Sequence, residues 1–449
     1  MIRFLKLFLL VNSLLFLANC SFSNPGNFFE DRVKELEKEI LQKNSKLVFS
    51  RTKKFNEEIS GSTVNKIEKS ILISNWQQKN LTSSNVVPHL KYENKKQLIY
   101  KSKKIGKNKF DTSNSLFEPL ILNDNVFLYD YTGNIYNFSI KDRQVIWKYN
   151  FYKKRYKNIP IIIKLKISKN YLIALDNLGF AYSLEIDSGK IKWAKNYGIP
   201  FKSNVKLDKE NIFILNQDNK YFSIDERNGN QKLSLETFPS FLKSKHDTNV
   251  CLDTQNNNIY FITSNGELYS INYQRNSVNW FSTISIGTDR KRSELFYSSP
   301  IVCKNDTIFF STSVATYAID SRNSSIKWQL PFSTFLRPIV TDDFVFLASK
   351  NGFFLNINKK TGKVIWSKDI FKTSKKFKKN KIGDILSLIL VSDQILATTS
   401  KGFFIFLDYR NGKIINYTRA SRAGFFSSPV VVNQKIYILD KKMRVLIFN

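Results

Sequence analysis

One spacing limits what this chain can fold into. A tryptophan recurs fourteen residues after a glycine, at Gly133–Trp147, Gly179–Trp193, Gly266–Trp280 and Gly352–Trp366. The same ungapped frame joins Val314 to Trp328, and runs from Asn219 to Leu233 and from Gly402 to Asn416, where the tryptophan is replaced. Three places into each unit stands Tyr136, Tyr182, Phe222, Tyr269, Tyr317, Leu355 or Ile405. The tenth place is Gly189, Gly229, Gly362 or Gly412 in four units and Asn276 in a fifth, while Arg143 and Ser324 depart. The steps between fourteenth places are 46, 40, 47, 48, 38 and 50 residues.

Each unit reads as a hairpin. GNIYNFSI, GFAYSLEI, GELYSINY and GFFIFLDY alternate side chains as strands do. Polar turns follow (DSGK, RNGN, KTGK, RNGK), where Gly or Asn can take positive φ. A second strand then carries the tryptophan, as in IKWAK. Two further short strands precede every unit, such as SSPIV followed by KNDTIFFS. Four antiparallel strands at a period near 45 describe a propeller blade, whose two faces are buried only by its neighbours in a ring. Tryptophan suits that contact, because it joins a large apolar plate to a polar N–H.

After seven complete units the frame runs once more through Met443, Leu446 and Asn449 without a Trp-bearing strand. The expectation is therefore an all-β, eight-bladed propeller over 70–449, its last blade closed by an N-terminal strand. Residues Ile71–Gln77 are assigned that part. Trp76 then joins Trp147, Trp193, Trp280, Trp328 and Trp366 as a blade tryptophan.

The first twenty residues read as an address. Arg3 and Lys6 precede an apolar run, Leu7 to Leu17, that is too short to span a bilayer and suits a secretory signal. Leu17-Ala18-Asn19-Cys20 resembles a lipobox, departing from it at Asn19; it predicts a signal peptide over 1–19 and lipidation of Cys20. Ser21, rather than Asp, points to the outer membrane. Residues 20–69 read as a linker, with a short helix where Val33, Leu36 and Ile40 line one side.

The formal net charge of +33 favours acidic partners, although Lys and Asn abundance all along the chain also fits compositional drift. Basic runs stand at KSKKIGKNK (101–109), KKRYK (153–157) and KKFKKNK (375–381). With Cys20, Cys251 and Cys303 as the only cysteines and His89 and His246 as the only histidines, no familiar metal spacing occurs. Cys251 and Cys303 are expected as buried thiols and the two histidines as loop residues without special roles.

The repeat, with Gly at its start, an aromatic three places on, Gly at ten and Trp at fourteen, resembles that of pyrroloquinoline-quinone (PQQ) type propellers. Lipobox, eight units, N-terminal latch and a terminal part-unit together are similar to the BamB family, over about 70–449. That resemblance implies a non-catalytic, cofactor-free scaffold: a lipid-anchored outer-membrane lipoprotein facing the periplasm, a monomer within a complex. Its implied partner is the barrel-bearing subunit BamA, and no nucleic acid. The implied contact loops are 238–247, with Phe241, Leu242 and Lys243, and 285–297, with Arg290 and Arg292. The second loop departs from the family by placing Leu295 and Tyr297 ahead of Pro300 where an acidic pair is usual. The rival readings are a PQQ-dependent dehydrogenase, which lacks adjacent cysteines here, and a propeller binding lipopolysaccharide or another anionic polymer.

Overall fold

The computed structural model describes residues 54–449, except 111–116, 153–155, 157–158, 239–246, 285–295, 297 and 373–376. Eight four-stranded antiparallel sheets follow one another along the chain. They span 120–150, 163–196, 206–235, 250–283, 302–330, 339–369, 385–419 and 430–448, the last completed by Leu98–Lys101. A single four-residue helix, Lys379–Ile382, is the only α-element among the described residues. Within a blade the chain runs from the inner strand outward. All interblade connections, and each turn between second and third strands, therefore lie on one face, called here the loop face. The remaining turns make the opposite, turn face.

The fourteen-residue spacing has a structural cause. In each of the seven complete blades the third and fourth strands slip by one residue just before the fourteenth place, as between Asn137/Phe138 and between Asn356/Ile357. Such bulges turn the bulged strand. The residue opposite the tryptophan is small: Asn137, Ser183, Ser270, Ala318 or Asn356. Where Asn416 replaces the tryptophan, its partner is Phe406, so the bulk has moved across the pair.

Each tryptophan then clasps the next blade. Its Nε1 donates to a backbone carbonyl there: Trp147 to Ile186 at 2.6 Å, Trp193 to Glu226 at 2.8 Å, Trp280 to Ser321 at 3.0 Å. Trp328 reaches Lys359 at 2.8 Å and Trp366 reaches Tyr409 at 3.0 Å. The acceptor always lies three residues before the tenth place of the next unit. The indole ring covers that tenth residue: a Cβ on Gly189, Gly229, Gly362 or Gly412 would stand 2.7, 2.4, 2.7 and 2.5 Å from ring atoms of Trp147, Trp193, Trp328 and Trp366. All seven tenth residues have positive φ, Arg143 and Ser324 included. Arg143, which follows the eighth blade and its outer strand Leu98–Lys101, instead packs its guanidinium over Tyr100.

Two expectations need correction. The strand that closes the eighth blade is Leu98–Lys101, paired antiparallel with the C-terminal strand Val445–Phe448. Residues 71–77 do not close it, and Trp76 is no blade tryptophan: it pairs with Ile121, on the inner strand of the first blade. Cys251 and Cys303 are joined by a disulfide, with Cα atoms 6.3 Å apart. Inner strands of successive blades converge on the axis, which brings residues of the fourth and fifth blades within bonding reach. In addition, part of the stretch expected as linker already lies on the body. Ile59 pairs with Ser367, and Phe55 and Thr63 donate to the carbonyls of Pro331 and Arg410.

The clasp predicts an asymmetry at the tenth place. Gly412→Ala drives a methyl into Trp366 at a backbone φ of +67° and should cost about 1–3 kcal/mol. Arg143→Ala, at the same turn position without an indole above it, should cost under about 0.5 kcal/mol. Urea midpoints of the two variants check this, and equal shifts would contradict it.

Candidate functional site

The axis of a propeller is where inner strands from every blade meet, and here the chain fills it with its own residues. Segment 71–93 enters from the turn face, turns over near Lys79–Asn85 and leaves by the same face. At its neck Ile71 N–H donates to His89 O and Lys91 N–H to Ile71 O. Going round the ring, Asn433 of the eighth blade donates to Ile73 O at 2.7 Å. Trp76 exchanges hydrogen bonds with Ile121 of the first, and Ile167 of the second donates to Gln77 O. Leu252 of the fourth and Cys303 of the fifth donate to Ser83 O and Ser84 O. Leu90 donates to Leu390 O of the seventh, and Val86 packs on the cluster holding Val340 and Val345 of the sixth.

Lys206 supplies the third blade's contact. Fully buried, its ammonium donates to Thr82 O at 2.9 Å and Asn85 Oδ1 at 2.6 Å. The Asn85 amide in turn donates to Val250 O and Ile301 O. One asparagine thereby ties the loop to three blades. Burial, reinforced by Lys166, pushes the Lys206 ammonium down to about 7, while Glu118 opposes it. His89 is pinned at the neck, bonding Glu68 O through Nδ1 and accepting from Asp393 N–H through Nε2.

Above the loop, toward the loop face, the axis opens into a mouth. Prolines 119, 160, 200, 300, 338 and 429 stand at or just ahead of inner strands, where no ladder N–H is needed. The residue before each is held extended, which sets Glu118 and Arg337 at equivalent places in two blades. Glu118 Oε2 accepts from Trp76 Nε1 at 3.1 Å and from Asn80 N–H at 2.7 Å. Asp247 is ion-paired with Lys164. Burial raises its carboxyl, but Lys164, with Lys79 and Lys202 adding to it, outweighs that and holds it at about 2. Two adjoining cavities, about 200 and about 480 Å³, share Lys79, Glu118 and Asp247 in their walls. The smaller adds Arg337 and Lys350, the larger Lys109, Lys164 and Lys202.

Of the residues singled out in the sequence, Cys20, Phe241, Leu242, Lys243, Arg290, Arg292 and His246 lie outside the described residues. Phe238, the first residue of one implied contact loop, and Phe281, just ahead of the other, are described. Phe238 and Phe281 are 56% and 54% exposed, with ring centroids 6.1 Å apart, and Phe281 stacks on Tyr269 at 5.5 Å. The axial loop escaped sequence reasoning because Ile71–Gln77 reads as the strand that closes the eighth blade. The available signal was Trp76 itself, a costly residue outside the repeat frame.

A quinone with its Ca²⁺ does not fit these residues. Among the described residues no three His, Cys, Asp or Glu side chains cluster to hold a metal. The bonded cysteines are 52 residues apart in different blades, and the chain's own loop occupies the axis.

Lys206 gives a pH dependence of known sign. Its ammonium is lowered from 10.5 to about 7 on folding. Between those values the unfolded chain holds the extra proton, so stability rises with pH, and below pH 7 the burial cost stands in full. From pH 7 to 9 the wild type should gain about 2 kcal/mol from this group. Lys206→Met should lack that gain whatever its absolute stability. Urea midpoints across the range check it, and parallel curves for the two proteins would contradict it.

A family model described as outer membrane protein assembly factor BamB matches residues 132–368. The outer membrane protein assembly factor BamB of Legionella pneumophila (strain Paris) is 21% identical over 179 residues, 39% of this chain and 44% of that protein. The match thus spans less than half the length of this curated relative. The crystal structure of BamB from Moraxella catarrhalis superposes with a TM-score of 0.61 at 11% identity, covering 79% of this chain and 99% of that one. A europium-containing methanol dehydrogenase superposes with a TM-score of 0.62 at 10% identity, covering 81% and 89%. At such identities these structures share the fold alone. The family model, by contrast, follows the repeat from Thr132 to Lys368, more than half of the chain: the protein belongs to the outer membrane protein assembly factor BamB family.

Proposed function

We propose that the protein is a non-catalytic scaffold of the outer-membrane β-barrel assembly machinery. It is lipid-anchored through Cys20 at the periplasmic face and docks a BamA-like subunit on its loop face. The observation that carries this reading is the exposed Phe238–Phe281 pair, standing at the roots of the two loops that hold Phe241, Leu242, Lys243, Arg290 and Arg292. Aromatic and arginine side chains dominate binding energy at protein interfaces. Two phenylalanines left in water side by side are unusual unless something covers them. Family membership supports the partner class, and the unsuited donor set at the axis weighs against quinone chemistry.

Phe238→Ser with Phe281→Ser should leave the ring intact, since both side chains are exposed. It should reduce co-purification of the BamA-like subunit from cross-linked envelopes at least tenfold. Undiminished recovery, or recovery of the wild type with electron-transfer proteins instead, would contradict the proposal. Cys20→Ser should separately move the protein from the membrane fraction to the soluble periplasm.

A further inference from the structure

Among the described residues, the mouth of the axis carries more cationic than acidic side chains. Around the two cavities stand Lys79, Lys109, Lys164, Lys202, Arg337 and Lys350, with the carboxylates of Glu118 and Asp247. Both acids are engaged: Glu118 holds the axial loop through Trp76 and Asn80, and Asp247 holds Lys164. Among the described residues Arg337 donates only to carbonyl oxygens, of Pro338 and Leu388, each at 3.3 Å. Neither it nor Lys202 has a carboxylate within ion-pair distance among the described residues. Burial lowers the Lys202 ammonium, which Asp247 opposes from a distance, and brings the Arg337 guanidinium down to about 10, which Glu118 opposes in the same way.

The walls facing these cations are aromatic. Phe110 stacks on Phe426 at 5.8 Å and meets Tyr131 at 5.1 Å, and Phe117 meets Tyr129 at 4.8 Å. All five line the larger cavity, whose volume of about 480 Å³ falls in the range of small-ligand sites. Arg337 belongs to the smaller cavity and Lys202 to the larger, with the Glu118 region between them. A ligand satisfying both therefore needs two separated anionic groups, and the aromatic wall of the larger cavity offers a place for an apolar group beside them. A single compact phosphate supplies neither the separation nor the apolar part.

We infer that the loop-face mouth of the axis binds a short acidic peptide segment, one carboxylate on Arg337, another on Lys202, and an apolar side chain against the Phe110–Phe426 wall. This site lies apart from the Phe238–Phe281 ledge and does not depend on what docks there. The axial loop is its floor: Lys79 and Asn80, at the turn of that loop, line the smaller cavity. The fold thus gains a pocket by closing its channel.

Fluorescence anisotropy on the full-length protein tests this with the amidated probe fluorescein-Gly-Asp-Phe-Asp-Gly. The expected result is saturable binding, weakened at least tenfold when both Asp are Asn and at least fivefold by Arg337→Gln or by Lys202→Gln. Lys360→Gln, on a turn-face hairpin, should change nothing, and urea midpoints show whether each variant is folded. Competition by inorganic phosphate or by anionic phosphatidylglycerol vesicles should be weak. Equal affinity for the Asn peptide, unchanged binding by folded variants at both cations, or a response to vesicles but not to peptide would each overturn the inference.

Discussion

The structure depends on the indole that five of the eight blades lay across the outer-hairpin turn of the next blade. A blade has two apolar faces and no means of covering them alone. The tryptophan fixes the distance to the next blade with its ring and the register with its N–H, because the acceptor carbonyl stands at one constant place in the unit. Removing a fully buried indole of this kind costs about 3–5 kcal/mol. The clasp also explains the glycines. Four of the five tenth residues beneath a tryptophan are Gly, the exception being Ser324 beside the less buried Trp280. Where a leucine or a tyrosine takes the tryptophan's place, Asn276 and Arg143 occupy the turn instead. Positive φ is required throughout, whereas the absence of a Cβ is required only under the ring.

A ring held at its outer hairpins leaves an axis to be filled. Eight inner strands expose backbone groups and buried cations there, and water or protein must satisfy them. Here segment 71–93 does so, hydrogen-bonding with inner strands around the ring and placing Asn85 where three blades meet. The cost is visible in Lys206, a lysine buried with neutral acceptors and no carboxylate in hydrogen-bond contact. The same loop raises a floor beneath the mouth, so closure of the channel and formation of the pocket are one event.

Much of this was legible in the sequence, and the failures are instructive. The unit, its strand count, the number of blades and closure by an N-terminal strand all follow from one periodicity, because every blade repeats the same solution. Assigning Trp76 to the eighth blade followed the rule that tryptophans belong to clasps. Its indole instead finds the carboxylate of Glu118. The true latch, LIYK at 98–101, is four residues among lysines and carries Tyr100 as its only large aromatic. The Cys251–Cys303 bond was hidden because sequence spacing does not reveal how closely inner strands converge. The basic mouth was hidden for a similar reason: Lys79, Lys202 and Arg337 lie far apart in a chain where lysine is everywhere, and only the axis brings them together.

The central claim is that segment 71–93 is an integral part of the ring's interior and not a linker passing beside it. Hydrogen–deuterium exchange of the full-length protein, read at the amides of Trp76, Leu90 and Lys91, tests it most directly. Protection equal to that of amides in the second strands, such as Phe127 and Ile173, which pair within their own blades, is the predicted result. Exchange within seconds, at the rate of exposed hairpin turns, would contradict it.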